Sequence, residues 1–284
     1  MPLIIWHEEP PELRRPVLVV ALDGFVDAGA VASTAGMFLR HRWKSEVVAT
    51  FDADDLIDFR ARRPSAVVDA GRVRRLDWPE IELCAAAVDG PHDVLLLLGP
   101  EPDMRWNEFA RAVASTGAEL GVEAVIGLGA YPAAVPHTRP ISIVRASNLV
   151  AGDLMPEVSE IAGYTGPVGA STALQVVLGE LGIPAVGLWA EVPHYIAGSP
   201  HPAAALALVR TVAAAVGVDV DTAELEVAAK LHSRQVDDAV AEHPDAMEMI
   251  SALEAHVDSG GDVDDLPSGE ALAAEIERFL RSQQ

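Results

Sequence analysis

Short apolar runs alternate with longer stretches in which alanine and leucine recur at helical spacing. VLVVAL (17–22) holds six apolar residues in a row, the pattern of a strand covered on both faces. SEVVATF (45–51), IELCAAAV (81–88), DVLLLLG (93–99), VEAVIGLG (122–129), ISIVRAS (141–147) and PAVGLWAEV (184–192) predict further strands. Between them, DAGAVASTAGMFLRHR (27–42), DMRWNEFARAVASTGAEL (103–120), GASTALQVVLGELG (169–182) and PAAALALVRTVAAAVG (202–217) predict helices. Asp27 and Asp103 stand where N-caps are expected. AVVDAGRVRRLDW (66–78) predicts a hairpin turning near Asp69-Ala70-Gly71. Strands alternating with helices in this way predict an α/β core over residues 1–218.

The pattern changes at Asp219. From there on the sequence has 17 acidic and 4 basic residues, and no strand-like run. Three helices are predicted, at about 221–242, 245–258 and 268–282, with breaks at Pro244, Gly260-Gly261 and Pro267. Leu225, Ala228, Ala229, Leu231 and Val236 form one apolar stripe; Met249, Ile250, Leu253 and Val257 form a second; Leu272, Ile276, Phe279 and Leu280 form a third. Short helices are marginal alone, so residues 219–284 are expected to pack on the core as a helical appendage with their charge turned outward.

Composition narrows the function classes. The 284 residues carry 43 acids against 20 bases, a net charge of -23. Such a surface repels phosphate backbones and anionic lipid, so nucleic acid and membranes are not expected partners. Cys84 is the single cysteine; it excludes a disulfide within the chain and reads as a buried, inert thiol. MPLIIWHEEPPELRR has acids where a signal peptide needs bases, and no run reaches membrane-spanning length. A cytoplasmic protein is expected.

Ligands of open α/β sheets bind beyond the carboxyl ends of the strands. The residues that follow the apolar runs are therefore the candidates for a rim. They are Asp23 and Asp27; Asp52, Asp54, Arg60 and Arg63; Glu101, Asp103, Arg105 and Trp106; His137 and Arg139; and His194 and Tyr195. His137-Thr138-Arg139 is held between Pro136 and Pro140, and a proline on each side stiffens this strap. Each residue also has a structural reading, as a cap, a turn former or half of an ion pair, and for any one of them that reading is the stronger. His194 and His201 share no metal-binding spacing, and His137 has no cysteine or acid beside it, so no metal is expected. No GxxxxGK[ST] loop is present. GLGAYP (127–132) places Pro132 where the last glycine of a dinucleotide loop belongs. Ser171 in GASTA (169–173) has no strand directly before it, so it reads as a helix-start residue and not a nucleophile. No cofactor is expected.

LDGFVDAG, FDADDLIDFRARRP, LLLLGPEPDMRW, VPHTRP, GYTGPVGA and LWAEVPHYIAGSPHP occur in that order. Together with the acidic helical tail they resemble the actinobacterial branch of the proteasome-assembly-chaperone family, second-chaperone type. The resemblance implies a three-layer α/β/α core with a mixed, mainly parallel sheet, of the kind seen in phosphorylases and hydrolases. It also implies homo-oligomers, with a trimer expected, and no established activity for most bacterial members. Relatives that act on proteasomes can dock through a tail ending in hydrophobic-Tyr-any residue, whereas this sequence has Gln283 at the penultimate position. The expected function is that of a non-enzymatic homo-oligomeric assembly or scaffold protein that binds another protein, with a proteasome link only by resemblance. The alternative is an enzyme or small-ligand binder that uses Asp23, Asp27, Glu101, Asp103 and Arg105, with His137 as acid or base and Arg139 as an anion clamp. The two diverge on whether these side chains converge on one enclosed pocket.

Overall fold

The structure is a computed structural model that describes residues 3–148 and 157–259. The strands are β1 (Ile4–Trp6), β2 (Val17–Asp23), β3 (Glu46–Phe51), β4 (Ser65–Asp69), β5 (Arg72–Asp77), β6 (Glu82–Ala86), β7 (Val94–Pro100), β8 (Ala124–Ala133), β9 (Ile143–Ser147), β10 (Ser159–Glu160) and β11 (Ala185–Pro193). Among the described residues, nine of them form one sheet in the order β1-β3-β6-β7-β2-β8-β11-β9-β10, and β4 and β5 pair only with each other. The centre, β7-β2-β8-β11, is parallel. Toward one edge β6 runs against β7 and β3 against β6, so β3 again points the same way as the centre. On the other side β9 runs against β11.

The unbroken apolar runs have the expected consequence. Along β2, Val17, Val19 and Ala21 pack into one cluster, and Leu18, Val20 and Leu22 pack into a second on the opposite face, because side chains alternate along a strand. Helices α1 (Val31–Trp43) and α5 (Pro202–Val216) cover the first face; α3 (Trp106–Glu119) and α4 (Ala170–Glu180) cover the second. Phe109 of α3 meets Phe51 edge-on at 5.1 Å. The result is the three-layer α/β/α core, with its mixed sheet parallel at the centre.

Two helix starts differ from the sequence expectation. The chain enters α1 through a 3-10 turn, Ala28–Ala30, in which Gly29 (φ 63°) and Ala30 (φ 49°) are left-handed. Asp27 still reaches the helix: its carboxylate accepts the N–H of Ala32 at 2.6 Å and that of Ser33 at 3.4 Å. Asp103 does not cap α3. Arg105 is left-handed (φ 56°) and turns the chain away between Asp103 and the first helical residue. The Asp103 carboxylate accepts the N–H of Asp58 instead, at 2.8 Å.

Helix α6 (Ala223–Ala241) lies along α5, and α7 (Pro244–Asp258) follows it with Pro244 in its first turn. The face that α6 turns inward is Leu225, Ala229, His232 and Val236, one side of a 3.6-residue helix. Leu231 is about 120° away from that face and is exposed, as is Val257 of α7; the two expected stripes are corrected at these positions. The predicted helix at 268–282, its stripe, and Gln283 lie outside the described residues.

Candidate functional site

The parallel strands bring the ends of β3, β7, β2, β8 and β11 to one edge of the sheet. Every candidate residue except Arg60 and Arg63 lies within a few positions of a strand end on this rim. They do not form one group. At the β7–β2 end, Glu101 sits between two loops: one carboxylate oxygen accepts the N–H of Phe25 at 3.1 Å, and the other accepts the N–H of Ala170 at the start of α4. Gly24 and Gly169 leave the room, since a Cβ on either would run into the Glu101 side chain. Asp23 pairs with Arg62 at 3.1 Å, and Arg62 also donates to the Asp23 carbonyl. Arg62, which follows the β3 run together with Arg60 and Arg63, ties the loop after β3 to the end of β2.

A second group lies beside the short helix α2 (Ala53–Leu56). Asp52 caps it by accepting the N–H of Asp54 at 3.1 Å, and Asp54 enters as that backbone donor. Arg105 donates to Glu108 through Nε at 3.1 Å and also pairs with Asp55. These two carboxylates, Glu108 first, raise the Arg105 guanidinium above its usual range. Trp106 Nε1 donates to the Pro102 carbonyl at 2.6 Å. Arg60 forms an exposed pair with Asp58. Arg63 makes no ion pair among the described residues.

The strap after β8 forms the third group, and its partners come from the appendage. The Tyr195 hydroxyl accepts the backbone N–H of His137 at 2.8 Å and sits 2.7 Å from His137 Nδ1. His137 Nε2 lies 3.0 Å from a carboxylate oxygen of Asp237 on α6. A neutral imidazole with its proton on Nε2 satisfies all three contacts: Tyr195 donates to Nδ1, and Nε2–H donates to Asp237. Burial pushes the Tyr195 hydroxyl up to about 12, so it remains a donor. Thr138 donates to Glu254 on α7. Arg139 grips Asp258 with a two-pronged bond, Nε at 2.9 Å and Nη2 at 2.7 Å, and reaches Glu254 at 3.1 Å. His194 stacks edge-on against Tyr195 at 5.4 Å and lies 3.3 Å from the Ala133 carbonyl. The rigid strap is a receiver for the acidic helices: Asp237, Glu254 and Asp258 bond to it, while the Asp237 and Asp258 side chains stay more than half exposed. Asp237, Glu254 and Asp258 were invisible as site residues because nothing local sets them apart from their acidic neighbours.

His201 has a structural role, as expected: Nδ1 accepts the N–H of Ala204 at 3.2 Å and caps α5. Its ring also meets that of His232 at 5.1 Å. Burial pushes it down to about 4, with the His232 ring adding to the effect. Ser171 lies in the first turn of α4. Cys84 is fully buried, and desolvation raises its thiol to about 11; it is inert at neutral pH. None of the candidate residues lines either of two cavities. One is a void of about 10 Å³ beneath α4, bordered by Val20, Val125 and Leu174, with room for a single water. The other is an open groove of about 300 Å³ beside the α5–α6 junction, bordered by Arg210, Val218 and Thr222. Among the described residues no cluster of three or more His, Cys, Asp or Glu could hold a metal ion.

The fold and rim define a class: an α/β/α protein whose strand-end loops are tied to one another and covered at one end by its own acidic helices. A family model described as PAC2 family matches residues 21–240, a span that enters α6. The chain belongs to the PAC2 family. Its solved relatives include a Corynebacterium glutamicum protein of unknown function, 31% identical with a TM-score of 0.84, over 91% of this chain and 98% of that one. A Streptomyces avermitilis PAC2 family protein is 37% identical with a TM-score of 0.73, over 83% and 99%. A Mycobacterium tuberculosis proteasome-assembly chaperone homologue is 33% identical with a TM-score of 0.75, over 82% and 99%. No curated protein gives a significant match.

Proposed function

We propose that this chain is a non-enzymatic, homo-oligomeric scaffold of the assembly-chaperone kind, which binds another protein and works in the cytoplasm without a cofactor. One observation carries this reading: the polar rim residues are spent on holding loops and helices of the same chain together, instead of facing a shared cavity. Glu101 fastens the start of α4, Arg62 and Arg105 fasten the loops after β3 and β7, and the strap fastens α6 and α7. An enzyme reading needs these groups gathered around a substrate-sized space. Membership of the PAC2 family, with a relative described as a proteasome-assembly chaperone homologue, supports a protein partner. Among the described residues no helix is long and apolar enough to cross a membrane.

The copy number proposed is three. Light scattering at micromolar concentration should give three times the 30.0 kDa chain mass; a monomer mass would end the homo-oligomeric reading. The partner is sought by capture from the native cytoplasm with the intact chain and with an Arg139→Ala variant, whose helical cover is loosened. Recovery of a defined protein in stoichiometric amount supports the scaffold. Turnover of a small molecule that is abolished by Glu101→Gln would replace the scaffold with an enzyme.

A further inference from the structure

Three of the nine histidines meet where α6 lies on the core: His137 from the strap, His201 at the start of α5, and His232 on α6. His201 is 4% exposed, and its ring meets that of His232 edge-on at 5.1 Å. Its backbone has no slack. The His201 N–H donates to the Gly29 carbonyl at 2.9 Å, and the Gly29 N–H donates to the Ala197 carbonyl at 2.8 Å. A Cβ on Gly29 would come within 3.0 Å of the His201 Cβ.

The cap fixes the tautomer. His201 Nδ1 accepts the Ala204 N–H at 3.2 Å, so the ring proton sits on Nε2. A second proton can go only on Nδ1. It sets a donor against a donor and places a positive charge at the positive end of the α5 dipole. Both rings are held below the ordinary imidazole range, by burial first; the next cause is the His232 ring for His201 and the His137 ring for His232. Among the described residues no carboxylate bonds either ring. The charged groups of the surrounding elements are engaged elsewhere. Asp27 bonds the start of α1, Asp237 bonds His137, and Glu254 bonds Thr138 and Arg139. Arg42 pairs with Asp221 and Glu224, and Arg210 with Glu226.

We infer that His201 and His232 form an acid-operated release for the appendage: when the two rings take up protons they repel each other, the cap of α5 breaks, and α6 lifts off α5. Lifting α6 withdraws Asp237 from His137 and uncovers that side of the strap. The packed state excludes these protons and the lifted state binds them. Each pH unit of acidification below about 6.5 therefore favours lifting by up to about tenfold per proton. Two contacts oppose it. An imidazolium at His137 strengthens its pair with Asp237, but the Asp237 side chain is 54% exposed and such pairs are weak. Arg139 holds α7 through Glu254 and Asp258, away from the α5–α6 contact. Self-repulsion is not the driver. The net charge of -23 at pH 7 relaxes toward zero at the sequence pI of about 4.6, so acid weakens the repulsion on an acidic helix. The release depends on neither the copy number nor the partner proposed above.

The test is hydrogen exchange on the full chain from about pH 7 to about pH 5, each rate divided by its intrinsic rate at that pH. It compares wild type, His201→Asn/His232→Gln, and Arg139→Ala. In wild type the α6 amides should lose protection roughly tenfold or more while β2 and β8 stay protected, and should regain it on return to neutral pH. Asn keeps a capping oxygen, and neither amide side chain titrates, so the double variant should hold α6 in place across the range. Arg139→Ala removes an opposing hold and should move the release to higher pH. Wild-type α6 that keeps its protection at the acid end would overturn the proposal. A double variant that releases α6 at the same pH as wild type would overturn it too, and would assign the release to carboxylates or to His137. Loss of protection in the sheet together with α6 would make the event ordinary acid unfolding. Circular dichroism at neutral pH checks that the double variant folds. If it does not, His232→Gln alone leaves the cap intact and should lower the pH of release; an unchanged midpoint then sinks the idea.

Discussion

At the scale of single residues, two acids with the same sequence signature have different fates. Asp27 and Asp103 each precede a helical stretch, yet only Asp27 reaches helical N–H groups. Asp27→Ala should cost roughly 1 kcal/mol, seen as a fall in Tm of about 2–4 °C. Asp103→Ala should leave α3 intact and loosen the Asp58 loop; equal losses of α3 amide protection in both variants would refute the distinction. His201 sets a pH dependence. It is neutral in the fold, held down to about 4 by burial, whereas in the unfolded chain it takes up a proton below about 6.5. The unfolded state therefore binds the extra proton between those values. The stability from this residue is complete above pH 6.5 and is lost as pH falls toward 4, by on the order of 3 kcal/mol. Asn can still cap through its side-chain oxygen, so His201→Asn should flatten that part of the profile. Denaturant titrations across this range check it, and parallel profiles for the two proteins would show that His201 is not the titrating group.

At the scale of elements, the strap and the α6–α7 pair form a latch. Arg139 holds Glu254 and Asp258, residues 115 and 119 positions away. A guanidinium fork in two-pronged contact is geometrically demanding. Arg139→Ala should speed hydrogen exchange several-fold in α7 while the sheet stays protected, and Arg139→Lys should fall between the two. The Arg139 bond lowers the Asp258 carboxyl below its ordinary value. Its contribution is present above the ordinary carboxylate value of about 4 and is lost as pH falls below it. High salt should loosen the same helices at neutral pH. Exchange in α7 that ignores both salt and the Arg139 substitutions would mean that apolar packing alone holds the appendage, through residues such as Leu225 and Ile250.

At the scale of the whole molecule, a net charge of -23 dominates any long-range encounter. The β4–β5 hairpin, which carries Arg72, Arg74 and Arg75, is a local exception, and it is too small to reverse the field of the rest. No salt-dependent micromolar affinity for a random duplex is expected; fluorescence anisotropy with a labelled duplex checks this. The same charge asymmetry favours a partner, or a second copy, that presents the opposite sign to each region.

The layers were legible in the sequence because burial on both faces leaves a local mark: VLVVAL and DVLLLLG must lie between helices, and the helical stretches between them can cover only their faces. The hairpin at 66–78 was legible from its turn residues Asp69-Ala70-Gly71, α6 and α7 from their helical spacing and the break at Pro244, and the inert Cys84 from the apolar run around it. Tertiary structure decided the rest. Period and composition mark Asp237, Glu254 and Asp258 as ordinary surface acids; only the packing of α6 on α5 carries them to His137, Thr138 and Arg139. Nothing in DMRW shows that Arg105 turns left-handed and cuts Asp103 off from α3. Nothing in RVRRLD shows that this strand stays outside the sheet. Helical and strand periodicity depend on neighbours a few residues apart, which the sequence states directly. Which charges meet depends on distances between segments more than a hundred residues apart, and those distances exist only once the chain is folded.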